Sequence, residues 1–280
     1  MLITVFTPTY NRAYILNKLY ESLIDQTDKF FEWVVLNDGS IDNTDELVNK
    51  WIKEKKIKIK YIKTVNGGKQ RAINYGVKEA IGELFFIVDS DDYLRYDAIE
   101  SVKADWEILS GEKAVVSGLC YKKVIYTTNK IIGVDYPEPA INASLLSMKY
   151  QYKVKGDMAQ IFQTKLLREY PFPEIEGETF VPEAYIWNRI TDKRPMRFIN
   201  NGIYFCEYLE DGLSANFLRN LKKNPKGFKL YYHDVLNYKI IPIKDKLKAI
   251  IRIIQCCIFV KINYYATKLF KIAGLVIIIY

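Results

Sequence analysis

The chain has 280 residues, 49% of them hydrophobic and 14% aromatic, which supports one large α/β domain with an appendage and excludes wholesale disorder. The net charge of +8 is uneven: residues 216–280 hold 13 Lys/Arg against only Asp234 and Asp245, leaving 28 basic and 31 acidic residues elsewhere. The four cysteines, Cys120, Cys206, Cys256 and Cys257, form no C-x-x-C pair, which argues against a zinc site or a disulfide framework and fits reduced thiols in a cytosolic setting.

Residues 2–6, LITVF, predict a short apolar strand, and TPTYNR breaks it at Pro8 and Asn11. The opening MLITVFTPTYNR has no basic leader region and runs straight into that strand, so no signal peptide is expected. Ile15, Leu16, Leu19 and Leu23 recur at helical spacing. EWVVLN, 32–37, is the next strand, DGSIDNT turns the chain, and Leu47, Val48, Trp51 and Ile52 mark a second helix. IKIKYI, 57–62, alternates like a half-exposed strand, and Ala72, Ile73, Gly76, Val77 and Ala80 face one way on a third helix. LFFIV, 84–88, is continuously apolar, as a strand covered on both faces would be. This strand–helix alternation predicts an α/β fold with an open, mostly parallel, Rossmann-like sheet flanked by helices, whose ligands bind beyond the carboxyl ends of the strands.

Beyond residue 112 the pattern is mixed. AVVSGLCY and KVIYTT are expected to pair as two strands around a turn. Pro171, Pro173 and Pro182 frame an irregular segment leading into AYIWNRI, a predicted helix. From about 245 the chain reads as helix, with Leu247, Ile250, Ile251, Ile254 and Ile258 near one face. The divisions expected are 1–215, in halves 1–110 and 111–215, and a basic, apolar helical tail 216–280.

Three motifs carry chemistry. Asp89-Ser90-Asp91 ends the fourth strand, and on a strand continuation its two carboxylates would point the same way. Hard oxygen ligands of this kind suit Mg²⁺ or Mn²⁺ and, through it, a diphosphate; a solvated acidic turn is the bland alternative. NDGSIDNT, 37–44, follows a buried strand in the same way. Ser40 or Asp42 caps the next helix in one reading, and Asp38 accepts from a nucleotide base in the other. In NGGKQRAINYG, Lys69 and Arg71 sit in the first turn of a helix. Helix amino termini prefer acids, so these cations need a partner, and a phosphate drawn to that terminus is one. Projection into solvent is the other reading.

TPTYNR, SLIDQT, VVLNDGSIDNT, NGGKQRAINYG and FIVDSDD occur in this order at close spacing. In this combination the chain resembles the family 2 glycosyltransferases of the GT-A fold, closely over about residues 1–110 and more loosely to about 215. The resemblance implies a nucleotide-sugar donor, a divalent metal (Mn²⁺ or Mg²⁺) and inversion at the anomeric carbon. By position it implies that Thr7, Pro8 and Tyr10 line the nucleoside pocket with Arg12 near it, and that Asp38 contacts the base. It puts Lys69 and Arg71 at phosphate or ribose, Asp89 toward ribose or sugar, and Asp91 on the metal. Asn37 stands where many members have a further Asp. The attacking hydroxyl needs a base; Glu183, ahead of a predicted helix, takes that role, with Asp157 binding acceptor or serving as reserve base. Glu178 is a further candidate, and a helix-capping acid is the plain reading of each. Asp211, Gly212 and Ser214 fall where the family has a loop near the donor diphosphate. His233, the only histidine, reads as helix interior.

The implied reaction moves sugar from a UDP-sugar to a glycan or lipid-linked acceptor in bacterial surface polysaccharide assembly. The longest uncharged runs of the tail, IIQCCIFV and IAGLVIIIY, fall short of the roughly 20 residues that span a bilayer. Its basic, apolar composition favours an anionic membrane surface at the cytoplasmic face over nucleic acid; packing on the domain, or a homo-oligomer contact, is the alternative. Two rival functions are weighed. A sugar nucleotidyltransferase usually opens on a glycine-rich loop, and TPTYNR has no glycine. A non-enzymatic, membrane-tethered scaffold is opposed by the intact Asp38, Asp89, Asp91 and Glu183. No G-x-G-x-x-G follows any strand, which opposes an oxidoreductase.

Overall fold

A computed structural model describes residues 2–207 and 217–277, with side chains to residue 262; Asp211, Gly212 and Ser214 lie outside the described residues. The chain runs β1 (Ile3–Thr9), α1 (Ala13–Ile24), β2 (Phe31–Asn37), α2 (Thr44–Glu54), β3 (Ile59–Lys63), α3 (Lys69–Glu79) and β4 (Leu84–Ile87). These build the parallel half of one sheet in the order β3-β2-β1-β4. Burial explains their composition. Every residue of β2 is buried, as is every residue of β1 but Pro8, so both faces select apolar side chains. On one face α1 buries Leu16, Leu19, Tyr20 and Leu23, and Tyr20, Trp33 and Trp51 stack with ring centroids 4.4–6.2 Å apart. On the other, α3 buries Gln70, Ile73 and Val77.

The mixed half follows as β5 (Tyr93–Leu94), α4 (Ala98–Ile108), β6 (Gly118–Ile125), β7 (Lys130–Ile131), β8 (Ala140–Ala143), α5 (Leu145–Tyr150), β9 (Met158–Gln163), α6 (Thr164–Glu169), α7 (Ala184–Lys193) and β10 (Met196–Cys206). The sheet continues β4-β9-β6-β10-β5, with β9 antiparallel to both neighbours and β6 parallel to β10. AVVSGLCY and KVIYTT do not pair as two strands, contrary to expectation. Val115 lies in a turn and Val116 in the link after it, and Gly118–Ile125 is a single strand. Its adjacent residues Lys122 and Lys123 alternate across the sheet. Lys122 donates to the Val134 carbonyl beside Tyr136, whereas Lys123 lies 3.7 Å from Asp92.

The molecule divides into two compact units, residues 1–172 with 186–208, and residues 173–185 with 209–280. Segment 173–185, which carries Glu183, thus groups with the C-terminal helices α8 (Phe217–Lys223), α9 (Pro225–Asn237) and α10 (Ile243–Ile277). In this second unit Leu221, Phe228 and Cys256 form a small core joined by Phe180, Phe217, Tyr232 and Phe259. His233 is an exposed residue of α9.

Candidate active site

The carboxyl ends of β1, β2 and β4 bring the predicted motifs of the first unit together. Asp38 follows β2 and is 6% exposed. Its Oδ1 accepts from the Gly67 amide and its Oδ2 from the Gly68 amide, both at 2.8 Å, so the carboxylate ties down the loop that opens α3. Asn37 is buried alongside; it donates to Asp45 and the Tyr61 hydroxyl and accepts from the Ser40 amide. Both anticipated capping residues link the motif to the first loop. Ser40 accepts from the Asn11 amide, and Asp42 from the Ala13 and Thr44 amides. Thr7 turns into the core, where its hydroxyl accepts from Trp33 Nε1 at 2.9 Å, while Tyr10 is 48% exposed at the end of the strand.

Lys69 opens α3, and its ammonium meets Asp89 Oδ1 at 2.6 Å with only 18% of the side chain exposed. That ion pair explains a cation at a helix amino terminus, and it excludes projection into solvent. The DSD segment is a turn rather than a continued strand: β4 ends at Ile87, and the Asp92 amide donates to the Asp89 carbonyl at 3.1 Å. The turn still gathers the carboxylates closely enough to perturb one another. Burial raises Asp89, but Lys69 and Lys123 outweigh it and leave that carboxyl below its ordinary range. Asp91 is raised, by burial first and then by the charge of Asp89, against the pull of Arg12 and Lys69. Asp92, 5% exposed, is pushed up to about 7 by burial and the neighbouring carboxylates, although Lys123 and the Tyr204 bond oppose this.

Residues 4–162, more than half of the chain, match the family described as Glycosyl transferase family 2. The chain belongs to that family. Over 208 residues, 68% of this chain and 34% of the relative, it is 28% identical to the poly(ribitol-phosphate) beta-N-acetylglucosaminyltransferase TarS of Staphylococcus aureus. It is 31% identical over 142 residues to the chondroitin synthase of Pasteurella multocida, covering 48% of this chain and 13% of that one. The chain therefore spans about a third or less of the length of these two relatives. The structure of S. aureus TarS 1–349 in complex with UDP-GlcNAc matches with a TM-score of 0.65 at 22% identity, over 91% of this chain and 72% of that one. The mannosyltransferase PcManGT of Pyrobaculum calidifontis, in complex with GDP-Man and Mn²⁺, matches with a TM-score of 0.58 at 18% identity, over 99% and 80%. The fold of this family 2 glycosyltransferase is thus the GT-A type.

The antiparallel strand β9 delivers Asp157. Phe86 pairs with Ile161, and continuing that register sets Met158 against Asp89, with the exposed Asp157 one residue further toward the DSD turn. Glu183 is half-buried immediately before α7 and belongs to the second unit. Glu178 is a cap: its two oxygens accept from the Lys226 and Gly227 amides at 2.8 Å in the first turn of α9.

Asp92, Tyr204 and Lys123 are site residues to which the motifs assigned no role. The Tyr204 hydroxyl donates to Asp92 Oδ2 at 2.6 Å and accepts from the Asp89 amide at 3.1 Å, so it bridges both ends of the DSD turn. The Lys123 ammonium lies 4.1 Å from the Tyr204 ring centroid. A third acid in DSDD was visible in sequence; its partners arrive from β6 and β10, beyond any local pattern.

As to a metal, no group of three His, Cys, Asp or Glu that could hold an ion occurs among the described residues. Two carboxylates suffice, however, where substrate phosphates and water complete the shell. Burial first and the charge of Asp89 second raise the Asp91 carboxyl, and a cation held between the two would lower it again. Asp89 and Asp91 therefore fit a hard divalent cation bound together with a diphosphate.

Proposed function

We propose that this chain is an inverting glycosyltransferase that moves a sugar from a UDP-sugar to a glycan or lipid-linked acceptor in bacterial surface polysaccharide synthesis. The observation that carries the reading is the meeting of Lys69 with Asp89 at the carboxyl edge of the sheet, beside the half-buried carboxyl of Asp91. A cation brought in with a diphosphate would offset the charge that Asp89 and Asp91 share, and the diphosphate would take up Lys69 in place of Asp89. The UDP-GlcNAc complex of TarS supports the donor class, and the GDP-Man and Mn²⁺ complex of PcManGT supports a metal.

In this reading Asp38 holds the loop against which the base lies, with Pro8, Tyr10 and Arg12 around it and Thr7 bracing the strand from the core. Lys69 and Arg71 serve the phosphates. Asp89 and Asp91 would hold Mn²⁺ or Mg²⁺, which when bound offsets charge on the leaving diphosphate. Glu183 takes the proton from the acceptor hydroxyl as that oxygen attacks the anomeric carbon. The bond to the diphosphate breaks on the opposite face, and its electron pair leaves with UDP. Asp157 binds the acceptor or stands in as base.

The same reading sets the chain at the cytoplasmic face of the membrane. Ile243, Leu247, Ile250, Ile251, Ile254, Ile258 and Ile262 are all 41% or more exposed on α10. At 100° per residue they fall within one stripe, flanked by Lys244, Lys246 and Lys248. No helix among the described residues is long and apolar enough to cross a bilayer. An apolar stripe rimmed by lysine suits an anionic lipid surface, whereas pairing two copies would oppose like charges. The full chain should co-sediment with phosphatidylglycerol vesicles and not with phosphatidylcholine ones; a stable dimer that ignores both would defeat this siting.

Release of free UDP from a UDP-sugar panel with Mn²⁺ tests the reaction. Asp91→Ala should abolish it, and Glu183→Gln should lower turnover by about 10²–10⁴-fold, the usual worth of a general base, while UDP still binds. Full activity in either variant would defeat the site assignment.

A further inference from the structure

Gln70 is the second residue of α3 and is 3% exposed. Neither its Nε2 nor its Oε1 meets a hydrogen-bond partner among the described residues. Native proteins satisfy the great majority of such atoms, so a fully orphaned buried amide calls for an explanation. Its place in the fold supplies one. Helix α3 runs back antiparallel to β1 and β4, packed so closely that a Cβ on Gly76 would come within 2.2 Å of the Phe6 ring. Gln70 lies six residues nearer the amino terminus of the helix, about 9 Å along its axis, or about three strand residues. That is the level of Pro8 and Thr9. Phe6 pairs with Ile87, and the same register puts Asp89 at this level too. The 2.6 Å contact of Lys69 with Asp89 fixes the placement independently.

We infer that Gln70 binds the ring hydroxyls of the transferred sugar, its Nε2 donating to one hydroxyl and its Oε1 accepting from another. The inference rests on the donor reading above and names a residue to which that reading gives no role. The chemistry of the amide selects the ligand. A diphosphate only accepts and would leave Oε1 orphaned; a cation would leave Nε2 orphaned. Neighbouring sugar hydroxyls both donate and accept. The uracil edge and the ribose diol do so as well, and UDP, which carries both but not the transferred sugar, separates them from it. The buried amide would act as a specificity device, because a site built to hydrogen-bond a hydroxyl rejects an analogue lacking it.

The test uses the full chain with Mn²⁺, measuring affinity for UDP, UDP-glucose, UDP-galactose and UDP-GlcNAc by calorimetry, then for monodeoxy analogues of the tightest donor. Gln70→Met and Gln70→Leu replace the amide with apolar groups of similar size. Both should keep UDP affinity within about twofold, lose at least tenfold of the gain that the sugar adds, and melt no lower than wild type, since an orphaned polar group has been removed. At least one deoxy analogue should cost wild type tenfold and the variants less than twofold. Sugar gain retained in the variants, UDP affinity lost with it, or a wild type indifferent to every deoxy analogue would each overturn the inference. Unfolding of both variants would make the amide structural and overturn it equally. Wild type that binds no UDP at all would defeat the donor reading first, and this inference with it.

Discussion

Asp38 and Asp89 each follow the end of a parallel strand by one or two residues, and Lys69 follows its strand by six. Tyr204 and Lys123 reach the same edge from the carboxyl-terminal parts of β10 and β6, and Tyr204 meets Asp92 across 112 residues of chain. The parallel half thus delivers site residues by local succession: a strand ends, a loop turns, a helix begins. The mixed half delivers them by register, through long-range pairing that a single mispaired residue would turn to the wrong face. Backbone fit should therefore matter more in the mixed half, and side-chain fit more in the parallel half.

Two glycines put this to the test. Gly118 opens β6 with φ of +152°, and a Cβ there would lie 1.9 Å from the Ile161 carbonyl oxygen of β9. The obstacle is sheet backbone, so relief requires parting the strands that carry Lys123 and Asp157. Gly76 meets instead the Phe6 side chain at 2.2 Å, which can shift. Gly118→Ala should lower stability by about 4 kcal/mol, above the usual range for overpacking, and Gly76→Ala by about 2 kcal/mol, within it. Urea unfolding of both variants checks the order; the reverse order would break the contrast between the halves.

The pH dependence of stability comes next in size, because the mixed half sets the charge of the loop that the parallel half presents. Asp89 is held below its ordinary value of 3.8 by Lys69 and Lys123, burial notwithstanding. Its contribution is present above about pH 4 and disappears as pH falls through the folded value. Asp92 works in the opposite direction, from 3.8 up to about 7. A carboxyl that binds its proton more tightly when folded makes stability fall as pH rises between those values, by up to about 1.4 kcal/mol per pH unit. Asp92→Asn should flatten that fall between about pH 4 and 7 in the metal-free protein. Parallel melting curves for the two proteins across that range would remove Asp92 from the account.

Legibility in the sequence follows the same division. Continuous apolar runs at LFFIV and EWVVLN betrayed strands covered on both faces, and the acids and glycines after them marked the edge where the site lies. The mixed half was harder to read. AVVSGLCY and KVIYTT read as two strands because a one-dimensional pattern does not show that Lys122 faces the Tyr136 loop and Lys123 faces Asp92 from one continuous strand. Glu178 stood as a further candidate behind Glu183 because the sequence does not show that its oxygens accept from the amides of α9. Gln70 was silent, since an orphaned amide is a property of packing and leaves no periodic trace.

The smallest effect concerns the hydroxyl that joins the halves. Tyr204→Phe keeps the ring against Phe86, at a centroid distance of 6.1 Å, and beneath the Lys123 ammonium. It removes one oxygen that donates to Asp92 and accepts from the Asp89 amide. Stability should fall by only about 1 kcal/mol, the net worth of an ordinary hydrogen bond. Turnover should fall further, by about tenfold, because the lost oxygen spans the turn on which Asp89 and Asp91 are mounted, and small displacements of positioned groups are costly to catalysis. UDP affinity with Mn²⁺ should weaken with turnover if the turn loosens as a unit. Loss of stability with unchanged turnover would show that β10 merely packs beside the site, and that the parallel half alone positions its carboxylates.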